Sequence, residues 1–289
     1  MDNQTLNLTT LICDSLNHIF FKLFSSIDNT IDSTLDDILF IRSDMIENSN
    51  FRQLFGTDTT NGLLSIANSL IFGILLFYVF RFALSHLTYS KIDSPYQFIF
   101  KCIIFIACMN SSFWICEKII DFIALLSDSI CELGNSLTGH HINFSNLISQ
   151  INSALYPSPE TFDLFSLDGI LKMISSIGIL YILLTFCIRY IFCKVLVLLT
   201  PFAFISLISN HFDGFFKAWL KQFLILLFLQ IVVSLVLVLG FTLEFHAGNA
   251  LSKLTLVATI LAIAKCNVPV KELLSHLYQH SQNKLKDFI

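Results

Sequence analysis

Three residues near the C-terminus have a spacing that could bind a metal ion. Glu272, His276 and His280 stand four positions apart and would share one face of a helix. The same spacing is typical of the polar face of a short amphipathic helix, and leucines lie between these residues. Two helical histidines without further ligands are weak support for a metal site, so we predict no bound metal.

Other signatures of catalysis are missing from the chain. It contains no P-loop, GxSxG or HExxH motif, and none of its eight cysteines forms a CxxC pair. The cysteines lie mostly in or beside apolar runs, where they fit as small buried side chains. We therefore predict that the protein is not an enzyme and carries no cofactor.

Two polar residues interrupt long apolar runs. Asn110 begins an Asn-Ser-Ser interruption of one run, and Gln230 lies near the middle of another. Such side chains either form hydrogen bonds between helices or line a polar path through a membrane. Hydrogen bonding between helices is the more frequent case, and the sequence leaves both open.

The composition indicates which solvent surrounds the chain. Of its 289 residues, 55% are hydrophobic and 13% are charged. A soluble globular protein has about 25% charged residues. Polar surface is too scarce to cover a fold of this length in water, so we predict an all-α integral membrane protein in a lipid bilayer.

The apolar runs predict the membrane spans, since a spanning helix needs about 20 mostly apolar residues. Five runs qualify: 63–80, 98–116, 170–188, 222–243 and 249–268. A sixth run, 195–212, contains Pro201, which predicts a broken or re-entrant segment. We expect five full transmembrane helices plus this segment, and six plain spans are the alternative.

The charge distribution predicts the orientation, because Lys and Arg collect in cytoplasmic loops. Residues 81–101 and 189–221 and the C-terminal tail are net basic, whereas residues 1–58 and 117–168 are strongly acidic. This places the N-terminus outside and the C-terminus in the cytoplasm of a multi-pass protein of the cell membrane.

The chain then divides into five regions. Residues 1–58 form an acidic extracytoplasmic region, in which an apolar stripe over 16–38 indicates an amphipathic helix. Its other face bears Asp28, Asp32 and Asp36, whereas helices that bind anionic lipid carry basic residues there. We expect it to pack on the protein's own core or on a partner. The other regions are a transmembrane hairpin (59–116), an extracytoplasmic loop (117–168), a transmembrane core (169–268) and a cytoplasmic amphipathic tail (269–289).

The segment from Arg189 to Lys221 carries a recognisable pattern. An Arg-ended helix precedes a Leu-rich run into Pro-Phe-Ala, and a Phe-Lys-x-Trp-Leu element and a long apolar helix follow. Trp219 lies between two lysines, which predicts an anchor at the membrane interface. The pattern resembles the TrbL-like membrane proteins of type IV secretion and conjugation, the family related to the sixth VirB protein. The matching residues are Arg189, Pro201, Phe202, Ala203, Phe216, Lys217, Trp219 and Leu220.

The resemblance covers about 170–243 and implies a function. It implies a channel subunit that helps translocate DNA or protein across the cytoplasmic membrane. Partners would be other membrane proteins of the apparatus and cytoplasmic ATPases, in a homo- or hetero-oligomer. The residues themselves predict no DNA site, since the basic groups Arg189, Lys194, Lys217 and Lys221 also fit cytoplasmic loops. A small-molecule transporter or channel is the alternative, although we find no internal repeat.

Overall fold

The computed structural model describes residues 2–58, 61–88, 95–155, 163, 165–208, 213–242, 250–270 and 272. Every regular element in these ranges is a helix, which confirms the all-α prediction. A short 3-10 helix, Ser43–Met45, follows α1. The α-helices are α1 (Asp2–Leu39), α2 (Ser49–Phe55), α3 (Leu63–Thr88), α4 (Pro95–Asn110), α5 (Ser112–Thr138), α6 (Phe144–Leu155), α7 (Leu167–Ser206), α8 (Asp213–Thr242) and α9 (Ala250–Lys265).

The chain forms two compact units. Unit 1 is formed by the described residues within 1–41, 124–190 and 228–273, and unit 2 by those within 42–123 and 191–227. The helices α5, α7 and α8 each contribute residues to both units. These three long helices therefore contribute residues to the cores of both units, and different other helices complete each core.

In unit 1, α6 packs through a single face. Its buried residues recur at steps of three and four, as expected for an amphipathic helix (Phe144, Leu147, Ile148, Ile151 and Leu155). The C-terminal part of α1 is buried in the same unit through Leu35 and Leu39.

In unit 2, the core joins α3, α4 and the end of α7. Ala67, Ile71, Phe98 and Phe204 belong to one buried cluster. The ring of Tyr78 stacks on that of Phe98, with centroids 3.6 Å apart. The turn at the end of α2 needs glycine, because Gly56 has φ of 100°, a left-handed conformation that is strained for other residues.

Within the described residues, three helices are long and apolar enough to cross a membrane, and four if the bent α4–α5 pair counts as one span. The three are Leu63–Ser85, Leu167–Ser206 and Gly214–Thr242. Apolar helices of this kind are compatible with a multi-pass membrane protein. They include the predicted spans 63–80 and 170–188 and nearly all of 222–243. Five full spans are not confirmed, since α9 has only 16 residues over the predicted run 249–268.

Three predictions about local structure are wrong. The described part of the predicted run 195–212, residues 195–208, is not a separate segment, because α7 continues through Pro201 to Ser206. The run 98–116 is not one straight helix, because α4 and α5 meet at Ser111 with a bend of 58°. The described part of 117–168 is mostly helical rather than a loop, since α5, α6 and the start of α7 occupy it.

Candidate functional site

Arg189 is buried in unit 1, where it contacts the end of α1. Its Nη1 donates a hydrogen bond to the carbonyl oxygen of Leu39 at 3.0 Å. Leu39 is the last residue of α1, and the carbonyls at a helix C-terminus lack partners within the helix. A cation is favourable there because of the helix dipole. The guanidinium carbon also lies 5.3 Å from the ring centroid of Phe186.

Gln230 contacts the same turn from α8. Its side chain is fully buried, and its Oε1 accepts a hydrogen bond from the backbone N–H of Ile41 at 3.0 Å. Arg189 and Gln230 therefore hold backbone groups two residues apart. We call these two side chains, with Leu39 and Ile41, the α1 clamp. Gln230 here forms a hydrogen bond between segments of the protein.

Two serines extend this buried polar group. The hydroxyls of Ser127 on α5 and Ser234 on α8 are hydrogen-bonded to each other. The Ser234 hydroxyl also donates a hydrogen bond to the backbone carbonyl oxygen of Gln230 at 3.1 Å. The Nε2 of Gln230 has no hydrogen-bond partner within the part of the chain that the structure describes. The serines therefore connect the Gln230 end of the α1 clamp to α5 through hydrogen bonds.

Asp36 on α1 holds the start of α6. Its carboxylate accepts hydrogen bonds from the N–H groups of Phe144 at 2.9 Å and Ser145 at 3.5 Å. Asn143 accepts another from Asn146 at 2.8 Å. Acceptors at a helix N-terminus satisfy N–H groups that the helix leaves open. The acidic face of α1 thus binds this chain's own helix through Asp36, whereas the side chains of residues 28–34 lie outside the described set.

Sequence reasoning missed the buried cation Lys172. Its Nζ donates to Oδ1 of Asn152 on α6. Asp168, one turn earlier on α7, pairs with Lys253 of α9 at 2.7 Å. A charged residue inside an apolar helix is itself a signal of a specific partner, and Lys172 stands directly before the uncharged run 173–188.

In unit 2, Trp219 on α8 bonds the backbone of α7 five residues before Pro201. Its Nε1 donates to the carbonyl oxygen of Leu196 at 2.8 Å, and the hydroxyl of Thr200 donates to the same oxygen at 3.1 Å. The indole ring also stacks on Phe223, with centroids 5.4 Å apart. We call Trp219, Thr200 and Pro201, with the Leu196 carbonyl, the aromatic clamp.

The aromatic clamp includes a proline inside α7. Pro201 has no N–H, so it leaves the carbonyl of Val197, four residues earlier, without its helical donor. The Leu196 carbonyl next to it is the helical acceptor for the N–H of Thr200. Trp219 and Thr200 therefore add side-chain donors to a carbonyl beside the one that the proline leaves open. The side chain of Trp219 is buried against the protein. Its position at the membrane interface stays a prediction.

The remaining residues of the sequence pattern lie in different settings. Phe202 and Lys221 are half-buried, and Lys217 is exposed. The ammonium of Lys194 lies 6.0 Å from the ring centroid of Phe51. These positions form neither a basic stripe nor a stack of exposed aromatic rings of the kind that binds single-stranded nucleic acid.

Asn110 lies at the break between α4 and α5. Its side chain is exposed and donates to the carbonyl oxygen of Ile106, one turn earlier, at 2.9 Å. Ser112, two positions later, is fully buried, and its hydroxyl has no partner within the described residues. Polar side chains that bond nearby backbone groups compete with helix continuation. The Asn-Ser-Ser interruption therefore marks the bend.

At the surface of unit 2, Arg52 forms a two-pronged ion pair with Asp58 at 3.0–3.3 Å. Hydrogen bonding and charge from Asp58 raise the pKa of Arg52 above its ordinary value. Its guanidinium carbon lies 5.8 Å from the ring centroid of Phe113, so the pair sits against the start of α5.

No cluster of metal-binding side chains occurs among the residues described by the structure. His276 and His280 lie outside them. No protein-family model matches the chain. No curated protein matches it either. The resemblance to TrbL-like proteins stays a prediction from the residues alone.

Proposed function

We propose that the chain is a membrane-channel subunit of a type IV secretion or conjugative transfer apparatus. It would help DNA or protein cross the cytoplasmic membrane, beside other membrane proteins and cytoplasmic ATPases. The observation that supports this is the Arg189–Lys221 pattern. Trp219, from its second part, donates a hydrogen bond to the carbonyl oxygen of Leu196 in the Leu-rich run of its first part. The pattern is thus a packed structural feature.

The proposed orientation has five spans. They are α3, the bent α4–α5 pair, α7, α8 and α9, which leaves the N-terminus outside and the C-terminus in the cytoplasm. A helix of 16 residues extends about 24 Å, so α9 spans only a locally thinned bilayer. A thiol reagent that cannot cross membranes tests this. It should label a cysteine at Ser158 in intact cells but not one at Ser281. Labelling of both would place both termini outside.

Deletion of the gene in donor cells tests the function. Transfer of DNA or export of protein should stop and should return when the native chain is supplied. Trp219→Ala should fail to restore it, whereas Trp114→Ala should succeed, because Trp114 is exposed and Trp219 is buried. Normal transfer after deletion would contradict the proposal.

The bend between α4 and α5 favours a second candidate, a small-molecule transporter or channel. Broken helices in transporters expose backbone groups that bind substrates or ions. The bend of 58° and the buried hydroxyl of Ser112 are consistent with this. Solute uptake by the purified chain in liposomes, with loss in Ser112→Ala but not Ser111→Ala, would favour it over secretion.

A further inference from the structure

The two parts of α1 differ in burial. Near its C-terminus, Leu35 and Leu39 are buried in unit 1. Over residues 12–23, however, four large apolar side chains remain 38–61% exposed. We call these residues the α1 seam: Ile12, Leu16, Ile19 and Leu23. An apolar face of this regularity has no partner within the described chain.

The spacing and residue types of the α1 seam indicate its partner. Steps of four, three and four residues match a coiled-coil heptad with isoleucine at both d positions and leucine at both a positions. Leucine at a with isoleucine at d favours trimers and tetramers over dimers. We propose that the α1 seam packs against the α1 seams of other copies of this chain, in a parallel bundle of about four helices.

The charges beside the α1 seam permit this packing. Asp14 falls at heptad position f, which points away from a bundle, and Lys22 falls at g, on its rim. No acidic side chains would face each other across the seam between residues 12 and 23. An anionic bilayer surface fits less well, because such helices carry several basic residues along the apolar face and this stretch has only Lys22.

Membrane insertion allows the short α1 seam to hold several copies together. Two heptads are fewer than the three or four that usually sustain a coiled coil. Spans that insert in one direction hold the copies parallel and raise the effective concentration of their α1 helices. The inference therefore rests on the proposed membrane location, but not on secretion.

Adjacent cysteines give the first test. We would replace the eight native cysteines, add Ile19→Cys or His18→Cys, and oxidise the full chain in liposomes. In a parallel bundle, d positions of neighbouring copies meet and c positions point outward. Ile19→Cys should form a disulfide-linked dimer on a denaturing gel, and His18→Cys should stay monomeric. Equal crosslinking at both positions, or none at Ile19→Cys, would overturn the proposal.

Mass measurement in lipid nanodiscs gives a second test with the native cysteines present. The native chain and the His18→Asp variant should give particles with about four copies, and the Ile19→Asp variant should give particles with about one. A monomeric or dimeric native chain would overturn the bundle. So would quenching of a fluorophore at Ile19→Cys, in the chain without its native cysteines, by lipid-borne quenchers in vesicles that hold many copies, which would assign the seam to the bilayer surface. Extraction of the chain from membranes by carbonate would refute the membrane location instead, so the two failures are distinguishable.

Discussion

The α1 clamp and the aromatic clamp are both built from α7 and α8, yet they do different work. In the α1 clamp, Arg189 and Gln230 bind backbone groups 150 and 189 positions away in the chain. In the aromatic clamp, Trp219 binds a carbonyl group 23 positions earlier. One clamp attaches a distant helix to α7 and α8, and the other joins α8 to α7 beside its proline.

The two clamps also differ in the energy of their hydrogen bonds. A bond from a charged group contributes about 1.5–3 kcal/mol, whereas a neutral bond contributes about 0.5–1.5 kcal/mol. Loss of one partner in a buried bond costs more when no other donor replaces it. We therefore expect substitutions in the α1 clamp to have larger effects than those in the aromatic clamp.

Arg189→Met should have the largest effect, a loss of about 2–3 kcal/mol, because it removes a charged donor and leaves the Leu39 carbonyl buried without it. Thermal unfolding in detergent measures the change. Arg81→Met is the matched control, since Arg81 is exposed, and should leave the unfolding temperature nearly unchanged. Equal effects of the two substitutions would show that the α1 clamp contributes little.

Gln230→Leu should cost about 1–2 kcal/mol, since the N–H of Ile41 loses its acceptor. The loss is reduced because Nε2 of Gln230 is itself buried without a partner in the described chain, and leucine removes that group. Gln222→Leu on the exposed side of α8 is the control. Proteolysis of α1 in the native detergent complex should become faster in Gln230→Leu alone. Unchanged proteolysis would separate Gln230 from the docking of α1.

Trp219→Phe should cost only about 0.5–1 kcal/mol, because the ring largely remains and Thr200 still donates to the Leu196 carbonyl. Trp114→Phe, at the other tryptophan, should have no measurable effect because that side chain is exposed. The same unfolding assay compares them. A cost above that of Arg189→Met would reverse the ranking of the two clamps.

The sequence predicted the apolar helices better than their contacts. The long helices α3, α7 and α8 could be predicted because a run of about 20 apolar residues without charge is typical of a membrane-spanning helix. The sequence did not predict how much of each helix is buried. In the most apolar stretch of α8, 61% of the residues are buried, whereas the value for α3 is 11%. Runs that look alike can thus face the protein or its surroundings.

Two kinds of feature were not predicted. Some are contacts between residues far apart in the chain, and another is a helix whose apolar spacing is interrupted by acidic residues. No sequence signal links Arg189 to Leu39, because the fold alone brings them together. The helix in 117–138 could have been found, since Cys116, Ile120, Ile123 and Ser127 recur at helical spacing and are buried. The bend at Ser111 could have been found in the Asn-Ser-Ser sequence.

Pro201→Ala should have the smallest effect, within about 0.5 kcal/mol, because a restored backbone N–H offsets the lost packing of the ring. The sharper measurement is the double-mutant cycle with Trp219→Phe. If the indole compensates for a turn weakened by the proline, alanine restores the N–H donor for the Val197 carbonyl next to Leu196, and Trp219→Phe should cost less in that background. Additive effects would mean that Trp219 stabilises α7 independently of Pro201. The aromatic clamp would then be ordinary helix packing, and the contrast with the α1 clamp would rest on charge alone.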